Sequence, residues 1–428
     1  MPPLAKNASE YARIIKVLAK YPFHGLDFKK IIDKKVWALM GQGSFDRLKS
    51  AYYNLYIRKR TLAKTDSESD LLFVRESYLR ADHKRNYDKV IDLFAADQPS
   101  FLDMGFVEQR LTWRTLKQRS ARALAIIRKI KASHQGSLGL VTTLALAAEI
   151  LQIEDFYQLL ATTLIRERVV VVFHDASSLQ NLICQQLKGS GSKTITLQHG
   201  LYIEWAYPGI HVTDYENVSA DYFLAWGPAT KNLIEKYNPT CQVLSVGHPF
   251  FIGYQPKPHE TQHRFGVILC ALAFREDNRK LIALAEQISQ AISVPYLVKL
   301  HPADNESFYQ DVPHDHCQKF LDKSVTVMDY VDWVDFSITN PSSLLYQFLF
   351  MNHMTYKFGP AYVNDPSAEE WISVTDVDSF LEQYNRADQT ANRQEIMDFV
   401  SQYFALGNIS DHYYQSIQQI LEASLAAT

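Results

Sequence analysis

Apolar residues along this chain come in short unbroken runs that end in polar turns, with longer amphipathic segments between them. Val169–Phe173 is four valines and a phenylalanine in a row, the mark of a parallel strand buried on both faces. Leu71–Val74, Thr194–Leu197, Tyr222–Ala225 and Gln242–Val246 predict companion strands. A second series follows at Phe265–Cys270, Tyr296–Leu300, Asp335–Thr339 and Thr355–Phe358. Between them the apolar spacing turns helical, as in Leu179, Leu182, Ile183 and Leu187, and again in Leu344, Leu345, Phe348 and Leu349. Residues 1–66 read as helices, with Tyr11, Ile14, Ile15 and Leu18 on one face and Phe28, Ile31, Ile32 and Val36 on another. Helical patterning also dominates from Val107 to Leu164, after a short strand candidate at Phe101–Asp103.

Strands alternating with helices predict parallel sheets. The stretch GHPFFIGYQPKPHETQ at 247–262 holds three prolines and no periodicity, which reads as a hinge. The expected organisation is a helical extension (1–66), a first Rossmann-like domain (67–247), a hinge (248–262), a second Rossmann-like domain (263–405) and a C-terminal helix (406–428). The two domains are expected to face a cleft.

Composition narrows the function classes. A chain of 428 residues with 47% hydrophobic and 21% charged residues is an ordinary globular protein, long enough for two cores. Its net charge of −3 gives no general attraction to nucleic acid. Cations crowd the first 65 residues and again Arg110–Lys131; they read as solvated helix faces, and would also suit peripheral docking on an anionic lipid surface. Cys184, Cys241, Cys270 and Cys317 are scattered without paired spacing, as in a reducing compartment. The longest apolar run, near Leu138–Ala148, is too short to span a bilayer, and a signal-peptide core is not evident. A cytoplasmic protein is expected.

Chemistry gathers where strands end. Lys299, His301 and Pro302 follow one strand of the second half; Asn340, Pro341, Ser342 and Ser343 follow the next and open a helix. Asn340 suits an N-cap and Pro341 the first helical position. The free N–H groups of that first turn, with two hydroxyls, form a receptor for a phosphate-like anion. Arg275, after Phe265–Cys270, could hold a second phosphate or pair with Glu276 or Asp277. In the first half, Gln198, His199 and Gly200 close one strand, and Gly227 opens a helix. His199 suits a general base on an acceptor hydroxyl, or a group that positions substrate. Glu76, Asp82 and Asp175 are further base candidates. GSGSK at Gly189–Lys193 lies between a helix and a strand, the reverse of a P-loop, and is a turn. Asp376 and Asp378 read as helix caps, and His314, His316 and Cys317 lack a second ligand pair. No metal and no cofactor are expected.

KLHP at one strand end, NPSS at the next helix start and LQHG in the first half together resemble GT-B transferases of bacterial surface polysaccharides. The nearest groups are capsule-synthesis glycosyltransferases and CDP-glycerol glycerophosphotransferases, with bacterial sialyltransferases sharing the HP and SS elements. The resemblance spans residues 70 to 405 in layout and three short motifs in identity. It implies a GT-B-like fold and a donor phosphate held by His301, Ser342 and Ser343. The donor would be a CMP-, CDP- or UDP-linked sugar and the acceptor a glycan or lipid-linked glycan, near His199 and Glu76. Tyr346 and Gln347 stand where related motifs often carry an acid, which leaves the transferred group open. The rival expectations are transfer of glycerol- or ribitol-phosphate, non-hydrolysing sugar-nucleotide 2-epimerisation, and nucleotide-sugar binding without turnover.

Overall fold

The protein is described by a computed structural model over residues 4–65, 67–109, 112–132, 138–204, 212–255, 260–270, 274–301, 304–322, 324–340, 342–359, 370–390 and 393–426. The chain divides into two compact units, Met1–Gly253 with Phe404–Thr428, and Tyr254–Tyr403. The division falls inside the segment expected as a hinge. The C-terminal stretch is not a separate appendage but belongs to the first unit. Gly247 shows why. At φ +90° it sits where only glycine is comfortable, and an added Cβ would lie 2.3 Å from Ile409 Cδ1 and 3.1 Å from the Ala405 carbonyl. Tyr413 donates to the Gly247 carbonyl at 3.1 Å, and the His248 ring packs at a tilt on Trp226 and meets Phe404 edge-on.

The first unit holds seven strands: β1 (Arg58–Thr65), β2 (Leu71–Glu76), β3 (Ser100–Glu108), β4 (Val169–Val172), β5 (Lys193–Leu197), β6 (Tyr222–Ala225) and β7 (Gln242–Ser245). Their order is β1-β3-β2-β4-β5-β6-β7, parallel throughout except for β1 against β3. All four valines of β4 are fully buried. β1 corrects the all-helical expectation for 1–66. Its sequence, RKRTLAKT, carries no apolar alternation because the strand lies at the sheet edge, where charge deters pairing with another chain.

The helices of this unit are α1 (Leu4–Leu18), α2 (Phe28–Met40), α3 (Ser44–Tyr52), α4 (Ala81–Asp92), α5 (Trp113–Ala132), α6 (Leu140–Thr162), α7 (Ser178–Lys188), α8 (Val212–Glu216) and α9 (Pro228–Tyr237). The first two are not an extension. Ile14, Leu18, Phe28, Ile31, Ile32 and Val36 share one core with Val170, Val172, Leu182 and Ile183. Each such side chain contributes about 1.5–3 kcal/mol by leaving water, so the segment is part of the wall of the first sheet. α6 is apolar nearly all round because it is buried nearly all round, as such helices are.

The second unit has six parallel strands: β8 (Phe265–Ile268), β9 (Tyr296–Lys299), β10 (Cys317–Leu321), β11 (Ser337–Thr339), β12 (Thr355–Phe358) and β13 (Ser373–Val374). They run β10-β9-β8-β11-β12-β13. Its helices are α10 (Arg275–Ile292), α11 (Val327–Asp332), α12 (Ser343–Phe350), α13 (Val377–Thr390) and α14 (Arg393–Ser401); α15 (Ile409–Ala426) returns to the first unit. In the first sheet the chain leaves β2 for β3 on one side and then places β4 on the other. In the second it leaves β8 for β9 and β10 and then places β11 on the other side. Each sheet therefore has a topological switch point, where a crevice opens at the carboxyl ends of the strands.

Candidate functional site

The first switch point lies between the ends of β2 and β4. Glu76 closes β2, and its Oε1 accepts from Gln180 Nε2 at 2.7 Å. Gln180 Oε1 in turn accepts from the His174 backbone N–H, also at 2.7 Å. One glutamine on α7 thus ties the two strand ends together. Burial pushes the Glu76 carboxyl upward, against the opposing pull of Gln180, Arg60 and Lys35.

Beside it is a buried cluster of imidazoles around one carboxylate. Asp214, on α8, has Lys34 Nζ 2.7 Å from Oδ1, His174 Nε2 3.4 Å from the same oxygen and His199 Nε2 3.9 Å from Oδ2. The His174 and His199 ring centres are 3.4 Å apart, and His83 meets His199 edge-on at 5.8 Å. His199 Nδ1 shares a hydrogen bond of 2.9 Å with the Tyr202 hydroxyl. Burial would raise the Asp214 carboxyl, but the His174 bond and the Lys34 ammonium hold it well below the usual range. Burial lowers His174 to about 4, with Lys34 adding to the effect. Burial and the neighbouring His174 lower His199 well below its ordinary value. At neutral pH the cluster is one ammonium, one carboxylate and neutral imidazoles.

This arrangement corrects three expectations. Asp175 does not face the crevice: its Oδ2 accepts from the Ser219 and Ala220 N–H groups at 2.5 and 2.8 Å, stapling the approach to β6. Gln198 is a brace, accepting from the Trp226 N–H at 2.6 Å and donating to the Gly200 carbonyl at 2.7 Å. Several cations of the first helices are not solvated: Lys34 enters the cluster, Lys30 donates to the Val218 carbonyl at 2.7 Å, and Arg47 bonds Thr142 at 2.9 Å, while Lys16, Lys20 and Lys49 stay exposed. Gly200 meets nothing within 4 Å of an added Cβ, so no neighbour in the protein requires glycine there. Gly227 is the extended N-cap of α9, ahead of Pro228. Asp82 pairs with Arg80 at 2.6 Å.

His174, His199 and Asp214 also offer ligand atoms within 4.8 Å of one another, the donor set of a metal site. Lys34 argues against that use, because its ammonium already sits on the carboxylate a cation would need. His316 pairs with Glu286 at 2.5 Å and His314 with the Val312 carbonyl at 2.6 Å. Asp376 accepts from the Ser379 N–H at 2.8 Å, a helix cap.

The second switch point, between β8 and β11, is built of neutral amides. Asn278 on α10 binds both polar backbone groups of Cys270, at 3.0 and 2.9 Å, and accepts from Asn340 Nδ2 at 2.9 Å. It also donates to the Tyr309 hydroxyl at 3.1 Å, and Tyr309 donates to Asp304. Asn340 is therefore a buried crossbrace and not the helix cap. Ser342 takes that place, its Oγ accepting from the Leu344 N–H at 3.3 Å. The Ser342 O–H stays able to donate, and Ser343 follows, half-buried, at the first helical position. Lys299 donates to the Val325 carbonyl at 2.8 Å, and His301 is half-buried at the end of β9. Arg275 makes neither of the ion pairs considered for it. Its guanidinium lies 3.9 Å over the Phe308 ring, and its buried Nε has no hydrogen-bond partner among the described residues. Pro302 and Pro341 lie outside the described residues.

Sequence reasoning missed Asp214, Lys34, Tyr202 and Asn278. Asp214 stands in a short polar helix with no motif around it, and Lys34 is one of the cations that read as solvated helix faces. Asn278 had one signal, its place in the first turn after a central strand.

No protein-family model and no curated protein matches this sequence. Solved structures do. S. aureus MnaA in complex with UDP is 11% identical with a TM-score of 0.53, covering 82% of this chain and 96% of its own. The UDP-GlcNAc 2-epimerase of Methanocaldococcus jannaschii, in complex with UDP-GlcNAc and UDP, is 10% identical with a TM-score of 0.52, over 82% and 99%. The UDP-N-acetylglucosamine 2-epimerase of Rickettsia bellii is 10% identical with a TM-score of 0.51, over 82% and 96%. At such identities the likeness establishes the fold, and the fold is GT-B-like, with two Rossmann-like units. Among the described residues no helix is long and apolar enough to cross a membrane.

Proposed function

We propose that this chain is a metal-independent glycosyltransferase that moves a sugar from a nucleotide-activated donor to a growing bacterial surface glycan. The observation that most supports this reading is the second switch point, with a helix N-terminus, two serine hydroxyls and an arginine that forms no ion pair among the described residues. Donor phosphate would bind the first-turn N–H groups of α12 with Ser342 and Ser343. His301, Lys299 and Arg275 would contribute from neighbouring strand ends. As the donor bond breaks, charge grows on the leaving phosphate, and a preorganised helix terminus stabilises it without having to rearrange.

On the first unit, His199 serves as the base. An acceptor hydroxyl gives its proton to the Tyr202 oxygen while Tyr202 passes its own to His199 Nδ1, and Asp214 stabilises the resulting imidazolium. The depressed basicity of His199 keeps it neutral, and so able to accept, at physiological pH. Glu76 would orient the acceptor. No cofactor is needed, because the activated donor is itself the substrate.

Non-hydrolysing 2-epimerisation is the second reading, favoured by the solved structures of 2-epimerases that share the fold. Proton NMR of UDP-GlcNAc with enzyme alone separates the two. The transferase reading expects an unchanged spectrum until a glycan acceptor is added. A C2 epimer appearing without acceptor overturns it, and turnover only with CDP-glycerol would assign a phosphotransferase.

A further inference from the structure

The carboxyl edge of the first sheet does not stop at Glu76. It continues sideways, across β3 to the start of β1, as an exposed run of alternating rings and guanidinium groups. Tyr78, just after β2, packs on Phe106 of β3 with ring centres 6.0 Å apart. Phe106 lies 4.9 Å under the Arg58 guanidinium, which also sits 5.8 Å from the ring of Tyr53. Arg60 lies 5.8 Å from Tyr78 on the other side. The antiparallel register explains the alternation: Arg60 stands directly opposite Phe106 and Arg58 two positions along, so all three share one face of the ribbon.

These rings are not core residues that happen to surface. Tyr53, Phe106 and Tyr78 are 37, 39 and 42% exposed, and Tyr52, 49% exposed, extends the run beyond Tyr53. The position is costly to leave uncovered, since half-exposed aromatic side chains gain most when a partner covers them. Among the described residues the Arg58 side chain forms no ion pair and lies beside the rings of Tyr53 and Phe106, while Arg60 lies beside Tyr78 with its Nε unbonded. Lys49 is exposed on the preceding helix, and Glu108 stands opposite Arg58 in the ribbon.

We infer that this run of Tyr53, Arg58, Phe106 and Tyr78 is a binding track for an acidic polysaccharide, the acceptor chain of the proposed transfer. Sugar rings present apolar C–H faces that stack on aromatic side chains. Carboxylates or phosphates on the chain match the Arg58 and Arg60 guanidinium groups that lie beside those rings. The steps between successive groups, ring or guanidinium, are 4.9 to 6.0 Å, on the scale of one sugar unit per group. The direction fits as well: the track ends at Tyr78, which is electrostatically coupled to Glu76 at the switch point. A lipid surface would ask for aliphatic side chains standing clear of the protein, whereas here tilted rings pack beside one another and beside arginines. The inference rests on the transferase reading for the identity of the polymer, not for the existence of the track.

The test uses the full chain with polygalacturonate oligomers as probe. Dextran oligomers are the neutral control, phosphatidylglycerol vesicles the membrane arm, and UDP is titrated in parallel by calorimetry. The wild type should bind polygalacturonate in a salt-sensitive manner and bind neither dextran nor vesicles. Phe106→Ala combined with Arg58→Gln should weaken polygalacturonate binding about tenfold and leave UDP affinity unchanged. Arg58→Gln alone, at an exposed position that the fold does not need, should show part of that loss. Equal binding by the variants, vesicle binding in place of polygalacturonate binding, or no polygalacturonate binding by a protein that binds UDP would each overturn the inference. Polygalacturonate binding without UDP binding would uphold the track and count against the nucleotide-sugar reading.

Discussion

The two switch points are built on one plan with opposite chemistry. In each, an amide side chain from the helix after a central strand crosses the crevice: Gln180 to Glu76 in the first unit, Asn278 to Asn340 in the second. Around Gln180 the groups are charged or titratable and answer one another, with Lys34 and Asp214 paired and the imidazoles neutral. Around Asn278 the bracing groups are amides and hydroxyls, with the Asp304 carboxylate taken up by Tyr309, and donors gather at Ser342, Ser343 and Arg275. A crevice already neutralised from within is suited to moving a proton. One with surplus donors at a helix N-terminus is suited to an anion from outside.

The largest expected effect tests whether the first cluster is held by its ion pair. Asp214→Ala would leave the partly buried Lys34 ammonium without its carboxylate and should cost up to about 3–5 kcal/mol of stability. Asn340→Ala, which removes a neutral amide from the second switch point, should cost only about 1–3 kcal/mol. Urea unfolding of both variants measures the contrast. Equal losses would erase the distinction between a charged and a neutral crevice.

A smaller effect follows from acid. His174 titrates near 4 in the folded protein and His248 near 3, both lowered first by burial, against about 6.5 when unfolded. As pH falls below about 6.5 the unfolded chain takes up protons that the folded chain refuses. Stability is then lost by up to about 1.4 kcal/mol per pH unit for each such imidazole, until the folded value is reached. Glu76 and Asp175, whose carboxyls are raised by burial, act in the opposite sense, so the informative quantity is a difference. A His174→Gln protein should lose less stability than the wild type between pH 6.5 and 4.5 in thermal melts. Parallel losses would mean that His174 is not held neutral.

Much of the fold was legible in the sequence, because buried parallel strands such as Val169–Val172 announce themselves as unbroken apolar runs. The strands that went unseen, β1, β10 and β13, lie at sheet edges, where half of each surface meets water and the run never forms. The site was legible where backbone geometry makes it, as at the start of α12, and there it erred by two residues: Asn340 looked as good a cap as Ser342. It was illegible where distant segments meet. Nothing local in Lys34 or Asp214 says that they pair across 180 positions, and nothing in Asp175 says that its carboxylate is spent on two backbone N–H groups.

The central claim is that the second switch point receives the donor phosphate while the first handles the proton, and titration of UDP into the full chain tests it most directly. The variant Ser342→Ala with Ser343→Ala removes two hydroxyl donors but keeps the helix terminus, and each lost bond should weaken UDP by about 0.5–1.5 kcal/mol. His199→Ala should bind UDP as the wild type does. If the serine variant binds UDP unchanged and His199→Ala does not, the roles assigned to the two crevices are reversed.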